Sequence, residues 1–195
     1  MSAEVRPSGP GENPFLPRVA RIVSIREETP DTKTFEVEFA DGGGEFSYQP
    51  GQFVQLSVFG AGEAPFGFAS WPAEGGRFEL TIRRLGRVTT ALHQLPEGSY
   101  IGIRGPLGRP FPVEEFEGKD VLIVAGGLGL APLRTVIHYI LRNRDKYGRL
   151  TVLYGARTPK DLLYKRDLFE DWERREDMRL LVTCLLYTSP SPRDR

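Results

Sequence analysis

Three glycines between an apolar run and a helical pattern are the residues of this sequence best suited to bind a ligand. Gly126, Gly127 and Gly129 follow directly after the apolar residues 121–125. Because they have no Cβ atom, their backbone N–H groups can approach a ligand closely and take left-handed dihedral angles. Pro132 then suits a first helical turn, with apolar residues at helical spacing behind it. The positive end of a helix would therefore face a bound anion such as a phosphate.

This glycine pattern alone leaves two interpretations open. Its spacing, Gly-Gly-x-Gly, differs from the common dinucleotide fingerprint Gly-x-Gly-x-x-Gly, and no acidic residue lies about twenty positions further on. A tight turn that only packs a helix against a sheet has the same appearance. The rest of the sequence has to decide between an anion site and a packing turn.

A second candidate anion site surrounds Gly86. Arg83, Arg84 and Arg87 cluster about this glycine, between a strand pattern and a short helical pattern. Thr89 is predicted to cap that helix, with its hydroxyl and the following N–H groups facing a phosphate. A solvated surface cluster of arginines is the alternative.

Two further segments have a composition suited to a cofactor. Residues 63–72 mix aromatic residues, small residues and prolines, so they could form a flat wall for a planar ring or a lid of a barrel. Residues 154–158 follow a predicted parallel strand, at the edge of the sheet where ligands bind. Arg157 there would meet the adenosine or phosphate end of a cofactor, or would lie in a solvated helix lead-in.

The composition limits the class of function. The chain has 195 residues, 39% of them hydrophobic, and its 26 basic residues balance 26 acidic ones, so no net charge favours nucleic acid. A single cysteine excludes an internal disulfide framework and a cysteine-ligated metal site within this sequence. No apolar run reaches the ~20 residues of a membrane span, so a cytoplasmic protein is expected. His93 and His138 lack ligand partners at suitable spacing, and no catalytic or metal-binding residue is predicted.

The first half of the sequence is typical of an antiparallel barrel. Short strands with alternating apolar and polar residues are joined by turns rich in glycine and proline. The predicted strands cover residues 19–26, 34–39, 78–83 and 100–104, and another follows the turn at Pro50 and Gly51. Together they indicate a barrel or sandwich over about residues 17 to 112.

After residue 112 the pattern changes to alternating strands and helices. Strands are predicted at 121–125, 150–154 and 179–182, and helices from about 132 to 144 and from about 161 to 174. The first strand, which is apolar throughout, is predicted to be buried on both faces. This is half of a doubly wound parallel sheet, and three strands alone would leave apolar faces and edges uncovered.

The predicted domain boundaries follow from these changes of pattern. A flexible lead-in is expected over residues 1–16, the barrel over 17–113 and an incomplete α/β domain over 114–183. Residues 184–195 have no regular period and resemble translated sequencing-adapter sequence. We therefore expect a non-native tail there, with a native polar tail as the alternative.

Five motifs in order resemble the ferredoxin–NADP⁺ reductase superfamily. They are Pro-Gly-Gln-Phe at 50–53, the segment 64–70, Arg-Arg-Leu-Gly-Arg-Val-Thr at 83–89, Gly-Pro-Leu-Gly at 105–108 and Gly-Gly-Leu-Gly-Leu-Ala-Pro at 126–132. Within the superfamily, the sequence is similar to the FAD-binding gamma subunits of cytoplasmic hydrogenases and to the FAD-binding subunits of anaerobic sulfite reductases. Electron-transfer subunits of dihydroorotate dehydrogenase are relatives of that group. The resemblance extends over about residues 17 to 183.

The resemblance implies a Greek-key FAD-binding barrel followed by a truncated NAD(P)-binding domain. Segment 64–70 would line the flavin ring, segment 83–89 would hold the FAD pyrophosphate, and the glycine-rich turn would hold the NAD(P) pyrophosphate. The residues expected to contact FAD are Pro65, Phe66, Gly67, Phe68, Ala69, Ser70, Ile82, Arg83, Arg84, Gly86, Val88 and Thr89. Those expected to contact NAD or NADP are Gly126, Gly127, Gly129, Pro132, Gly155 and Arg157.

The sequence departs from the family at the flavin wall. The common Arg-x-Tyr-Ser is Ala-Pro-Phe-Gly at 64–67, so a backbone N–H must replace the serine at flavin N5. Members of the hydrogenase group carry a cysteine-rich [2Fe-2S] segment near the C-terminus, and this sequence ends before it. The iron–sulfur centre is therefore expected in the missing segment or in a partner.

The function implied is that of an FAD-dependent oxidoreductase subunit. It would pass electrons between NAD(P)H and the iron–sulfur or catalytic subunit of a redox complex, with the chemistry supplied by the cofactors. A dihydroorotate dehydrogenase-type subunit, a non-catalytic FAD-binding remnant and a flavin-free docking subunit are the alternatives. The sequence does not distinguish NAD from NADP.

Overall fold

The fold combines an antiparallel six-stranded sheet with a parallel three-stranded sheet. The structure is a computed structural model that describes residues 15–42, 46–72 and 76–185. The predicted lead-in over 1–16 and the predicted tail over 184–195 lie almost entirely outside these residues. The predicted fold class, a barrel followed by half of a doubly wound sheet, is confirmed.

The first sheet forms the barrel, with every neighbouring pair of strands antiparallel. Its strand order is β4-β3-β6-β1-β2-β5, and an antiparallel bridge between Phe68 and Leu80 joins the chain after β4 to β5. Because residues on β3 alternate between buried and half-buried, one face of this strand fills the barrel core. The elements are β1 (Arg18–Thr29), β2 (Thr32–Phe39), β3 (Phe53–Val58), β4 (Gly62–Gly67), β5 (Phe78–Arg83), α1 (Arg87–Gln94) and β6 (Tyr100–Leu107).

Strand β4 is an element that the sequence did not predict. Residues 64–70 were expected to form a loop, but residues 64–67 belong to β4 and pair with β3. Pro65 argued against a strand here, because proline has no N–H to donate to the hydrogen bonds between strands. It is tolerated here because β4 lies at an edge of the sheet order.

The second sheet has the parallel order β7-β8-β9. Val121 lies opposite Leu150, which in turn lies opposite Met178. The elements are β7 (Val121–Gly126), α2 (Leu130–Arg142), β8 (Leu150–Ala156) and β9 (Met178–Cys184), with 3₁₀ turns at Gly127–Gly129, Pro159–Asp161 and Trp172–Arg174 and a π-helical turn at Asp167–Asp171. We call this part of the chain the α/β unit.

The prediction that β7 is buried on both faces was wrong. Leu122 and Val124 are 60% and 65% exposed, whereas Ile123 and Ala125 are buried against α2 and the helical turns that follow β8. Parallel crossovers are almost always right-handed, so two successive crossovers in one direction place both connections on the same face of the sheet. Within the described residues nothing covers the opposite face, as the sequence pattern predicted for a sheet of three strands.

The helix predicted from about residue 161 to 174 is confirmed only for residues 165–174. The chain forms a short 3₁₀ turn at Pro159–Asp161, leaves the helical conformation, and then forms a helical turn that continues through the π-helical and 3₁₀ turns. Tyr164 lies between them with a φ of 52°, a conformation that a continuous helix does not allow. Its N–H donates to Glu28 of β1, so the barrel takes the backbone group that a helix would have used.

Two hydrophobic cores support these sheets. One fills the barrel, and the other lies between the parallel sheet, α2 and the turns after β8. Ala69 belongs to the second core although it follows a barrel strand, so the two parts of the chain pack directly together. None of the helices in the described ranges is long and apolar enough to cross a membrane.

Candidate functional site

A cavity of about 350 Å³ lies between the barrel and the α/β unit. This volume falls within the range of about 300–1,000 Å³ that is usual for ligand sites. Residues from the two candidate anion sites meet there, which the sequence could only suggest. The barrel contributes Thr29, Asp31, Thr32 and Arg83, and the α/β unit contributes Gly126, Gly127, Gly155, Arg157 and Asp161 among others.

The glycine-rich turn is open in a way that suits a ligand better than packing. Gly127 has a φ of 50°, which favours glycine, but Gly126 and Gly129 have ordinary extended and helical dihedral angles. A Cβ atom added at any of the three would meet nothing within 4 Å. Neither conformation nor packing therefore requires glycine at Gly126 and Gly129, and the open space beside their backbone leaves room for a ligand to approach closely.

The turn at Gly86 also leaves open space beside its glycine. Gly86 has extended dihedral angles and precedes α1, and an added Cβ would meet nothing within 4 Å. Thr89 caps the helix as predicted, but from the third helical position, because its hydroxyl accepts the N–H groups of Leu85 and Gly86 at 2.9 Å. The backbone N–H groups of the first helical turn have no partner within the helix, which makes them the donors available to an anion.

Arg83 at the end of β5 is held by a carboxylate that the sequence analysis missed. Its Nε donates to Asp31 at 2.6 Å, in the turn between β1 and β2. Burial alone would raise the pKa of Asp31, but hydrogen bonds from Thr29, Arg83 and Thr32 lower it. Because a guanidinium has five N–H donors, Arg83 can hold Asp31 and still donate to a phosphate in the cavity.

Arg157 lies at the other side of the cavity, after β8. Its guanidinium is 4.0 Å from the carboxylate of Asp161, and its side chain is 69% exposed. Asp161 also accepts hydrogen bonds from the N–H and hydroxyl of Thr158, which fixes the start of the 3₁₀ turn. The position at the carboxyl end of a parallel strand matches the sequence prediction.

Segment 65–70 divides between the cleft and the two cores. Pro65 is exposed, and Phe66 is half-buried against the barrel core. Gly67 faces the first turn of α2, because a Cβ added there would lie 3.4 Å from Cβ of Pro132. The predicted flavin wall and the glycine-rich turn are therefore neighbours.

The structure turns other predicted side chains away from any ligand. Phe68 stacks on Tyr48 with ring centroids 3.5 Å apart, inside the barrel. Ala69 and Ile82 are buried, and the Ser70 hydroxyl accepts the N–H of Glu79. Phe68, Ala69 and Ile82 can meet a cofactor only through their backbone, whereas Ser70 is half-buried. Arg84 is exposed and Val88 packs against the barrel core next to Gly62.

A buried polar network joins the two parts beside the cleft, and the sequence analysis did not predict it. Arg134 of α2 pairs with Glu79 of β5 and with Asp167. Burial would lower the pKa of Arg134, but these two carboxylates raise it, so the guanidinium remains charged. The sequence did contain one sign of this network, because Arg134 lies among the apolar residues of α2 and a buried arginine needs acidic partners.

The histidines have structural surroundings, in agreement with the sequence analysis. The Nε2 atom of His93 is 2.8 Å from the carbonyl oxygen of Ile82. Burial and nearby Arg134 lower the pKa of His138 from 6.5 to about 4. Among the described residues, no group of three His, Cys, Asp or Glu side chains is placed to hold a metal ion.

Comparisons with known sequence families define the class of protein. Residues 19–111 match the oxidoreductase FAD-binding domain, and residues 123–195 match the oxidoreductase NAD-binding domain. The chain belongs to the ferredoxin–NADP⁺ reductase-like family of FAD- and NAD-binding oxidoreductases, which confirms the resemblance and the two cofactors inferred from it. The open turns at Gly86 and at Gly126–Gly129 fit the pyrophosphates of these cofactors.

Two individual relatives are similar to this chain over most of its length. The gamma subunit of sulfhydrogenase 1 from Pyrococcus furiosus is 41% identical over 176 residues, which are 88% of this chain and 60% of that protein. The probable dihydroorotate dehydrogenase B (NAD(+)) electron transfer subunit of Methanocaldococcus jannaschii is 40% identical over 161 residues, or 82% and 55% of the two chains. The chain thus spans little more than half the length of these relatives.

Solved structures agree with this assignment at the level of the fold. The FAD/NAD-binding domain of nitric oxide dioxygenase from Vibrio cholerae superimposes with a TM-score of 0.75 at 18% identity, over 91% of this chain and 77% of that one. An NADH-dependent reduced ferredoxin–NADP oxidoreductase gives a TM-score of 0.70 at 27% identity, over 90% of this chain and 58% of that one.

Proposed function

We propose that this chain is the cofactor-binding part of an electron-transfer flavoprotein subunit. It would accept reducing equivalents from NAD(P)H and deliver electrons to an iron–sulfur or catalytic partner. The observation that supports this most directly is the shared cavity, in which Arg83 of the barrel and Gly126 and Gly127 of the α/β unit line one space. FAD, when bound, accepts a hydride from a nicotinamide and can release its electrons singly.

The residues of the chain would bind and orient the two cofactors. Gly86 and Arg83 would hold the FAD pyrophosphate, and the turn after β7 would hold the dinucleotide pyrophosphate. The contact between the positions of Gly67 and Pro132 would set the spacing between the ring sites. Each helix N-terminus contributes only about 0.3–1 kcal/mol to an exposed phosphate, so affinity must also come from arginine contacts and ring burial.

The partner is proposed from the relatives, which are subunits of sulfhydrogenase and of dihydroorotate dehydrogenase B. Both kinds of relative are similar to this chain at about the same identity, so both remain candidate assemblies. We place the expected [2Fe-2S] centre in the partner or in the part of the relatives that this chain does not span. A cytoplasmic location is proposed as well, because the sequence resembles subunits of cytoplasmic hydrogenases, and cell fractionation would test it.

Anaerobic reduction of the flavin tests the proposed function. The purified chain is loaded with FAD and mixed with NADH or NADPH, and absorbance is followed at about 450 nm, where flavins absorb. Rapid bleaching by one or both nucleotides is expected. A chain that binds FAD but is not bleached would be the non-catalytic remnant, and a chain that takes up no FAD would be the docking subunit.

A further inference from the structure

Arg134 connects the helix after the glycine-rich turn with two positions on the barrel. Its Nη1 donates to the carbonyl oxygen of Ala69 at 2.7 Å and also to the carboxylate of Glu79. Its Nε donates to Asp167 in the α/β unit. Since the guanidinium is planar and held on both sides, it fixes orientation as well as distance.

One partner of Arg134, Ala69, belongs to the proposed flavin wall, and Arg134 itself lies in the helix that follows the glycine-rich turn. Ala69 comes two residues after Gly67, and Arg134 comes two residues after Pro132. The positions of Gly67 and Pro132 are themselves in contact. The arginine therefore joins the same two segments of the chain as this contact, and its side chain is only 9% exposed.

Tyr164 makes a second connection beside it. The Tyr164 N–H donates to Glu28 at 2.9 Å, and its hydroxyl donates to Thr81 at 2.6 Å. Thr81 shares a hydrogen bond with Thr34, which donates to Glu28, so the set closes into a ring of hydrogen bonds. The Cζ atom of Arg134 lies 4.6 Å from the centre of the Tyr164 ring, which ties the two connections together.

We propose that Arg134 is a positioning residue for hydride transfer, because it holds the flavin wall at a fixed distance from the glycine-rich turn. This inference rests on the proposed function, since it concerns the geometry of the same two sites. Arg134 does not line the cavity, so it acts on the cofactors through Ala69, Glu79 and the first turns of α2.

Loss of the arginine would affect rate more than binding. The carbonyl oxygen of Ala69 would lose its donor, the carboxylate of Asp167 would lose its guanidinium partner, and Glu79 would keep only Arg26. Neither Arg83 nor Gly86 contacts Arg134, so retention of FAD would change little. A displacement of about 1 Å between reacting groups costs about 100-fold in rate.

The experiment compares R134A and R134K with R144A. Arg144 is a matched control, because it is also largely buried and donates to the carbonyl groups of Tyr147 and Asp177 inside the α/β unit. Three quantities are measured. They are hydrogen–deuterium exchange of peptides containing residues 66–70, the rate of flavin reduction at saturating NAD(P)H, and the NAD(P)H concentration that gives half of this rate.

We expect faster exchange in residues 66–70 of R134A, by about tenfold, and reduction slowed by about 10- to 100-fold at saturating nucleotide. The half-saturating concentration should change by less than about threefold, because the groups that bind nucleotide remain. R134K should recover part of both effects, since it restores the charge but not the planar fork. R144A should show neither effect, even if it lowers stability.

Exchange in R134A no faster than in R144A would overturn the proposal, whatever the outcome for activity. If the wild-type chain is not bleached by NAD(P)H, the proposed function fails, while the exchange measurement still decides whether Arg134 fixes the wall. Should R134A not fold, E79Q removes the charge on the barrel side at nearly constant volume. E79Q is expected to change exchange and rate in the same direction, and an unchanged E79Q would count against the proposal.

Discussion

At the scale of single residues, two arginines that line the cleft each lie beside a carboxylate. Arg83 is paired with Asp31, and Arg157 lies near Asp161. In both pairs the carboxylate comes from a turn that the sequence analysis did not single out. An arginine fixed in this way loses less conformational freedom when it binds a phosphate.

The substitution R83A should weaken FAD binding by about tenfold or more, because a hydrogen bond to a charged group is worth about 1.5–3 kcal/mol. FAD content after purification and fluorescence titration would measure this. D31N is the informative control, since it removes the carboxylate that competes for Arg83 and should leave FAD binding equal or tighter. Undiminished flavin absorbance in R83A would show that Arg83 serves only to hold Asp31.

His138 should make stability depend on pH. Burial and Arg134 lower its pKa to about 4 in the folded chain from 6.5. Below about pH 6.5 the unfolded chain takes up a proton that the folded chain does not, so stability falls as pH decreases, by up to about 1.4 kcal/mol per pH unit down to about pH 4. Above pH 6.5 this contribution is complete.

Urea unfolding at about pH 6.5 and about pH 5 would measure this, with H138Q as the comparison. Between about pH 6.5 and about pH 5, the free energy of unfolding should fall in both proteins, and the fall should be about 2 kcal/mol smaller in H138Q than in the original chain. Equal losses in the two proteins would show that His138 already carries a proton in the folded state.

At the scale of elements, the two turns that we propose to hold phosphates are distinguished by glycines that the fold itself does not need. Gly126 and Gly86 have dihedral angles open to any residue and empty space where a Cβ would lie. A side chain can therefore be added at either glycine without backbone strain or a clash. A substitution there tests the role of the turn in binding without disturbing the fold.

G126A and G86A should each impair one cofactor only. Each added methyl group enters space that a ligand would use, and such overpacking costs about 1–3 kcal/mol. G126A is expected to lower affinity for NAD(P)H with FAD content preserved, and G86A to lower FAD content. Thermal unfolding should show a loss of less than about 1 kcal/mol in both. G127A is the contrast, since its φ of 50° predicts a loss of stability.

At the scale of the whole molecule, one face of the parallel sheet remains apolar and uncovered within the described residues. Leu122, Val124 and Leu181 are 60%, 65% and 42% exposed on the α/β unit. Contiguous apolar surface of this kind favours association with other apolar surfaces. The described part of the barrel has no equivalent face, because its sheet curves over a single core.

V124K should reduce self-association of the 195-residue chain and its binding of hydrophobic dyes. Val124 points to the open face, so its replacement should change the free energy of unfolding by less than about 1 kcal/mol. I123K, one residue away on the buried face, should cost several times as much, about 3 kcal/mol or more. Light scattering and urea unfolding of the two variants would check both statements.

The sequence predicted what depends on local pattern. Alternation in β2 and β5, the helical stripe of α2 and the glycine-rich turn all carry their own signals, and they were placed correctly within a few residues. The strand containing Pro65 and the interrupted helix at Tyr164 were missed, because each is stabilised by a partner distant in sequence. The network of Arg134, Glu79 and Asp167 could not be paired from sequence for the same reason.

The shared cleft has a thermodynamic consequence for how the molecule is loaded. When two ligands occupy sites built from adjoining surfaces, any factor by which the first changes the affinity for the second must apply equally in reverse. With both cofactors in the sites proposed for them, the factor by which bound FAD changes the affinity for the nicotinamide equals the factor by which bound nicotinamide changes the affinity for FAD.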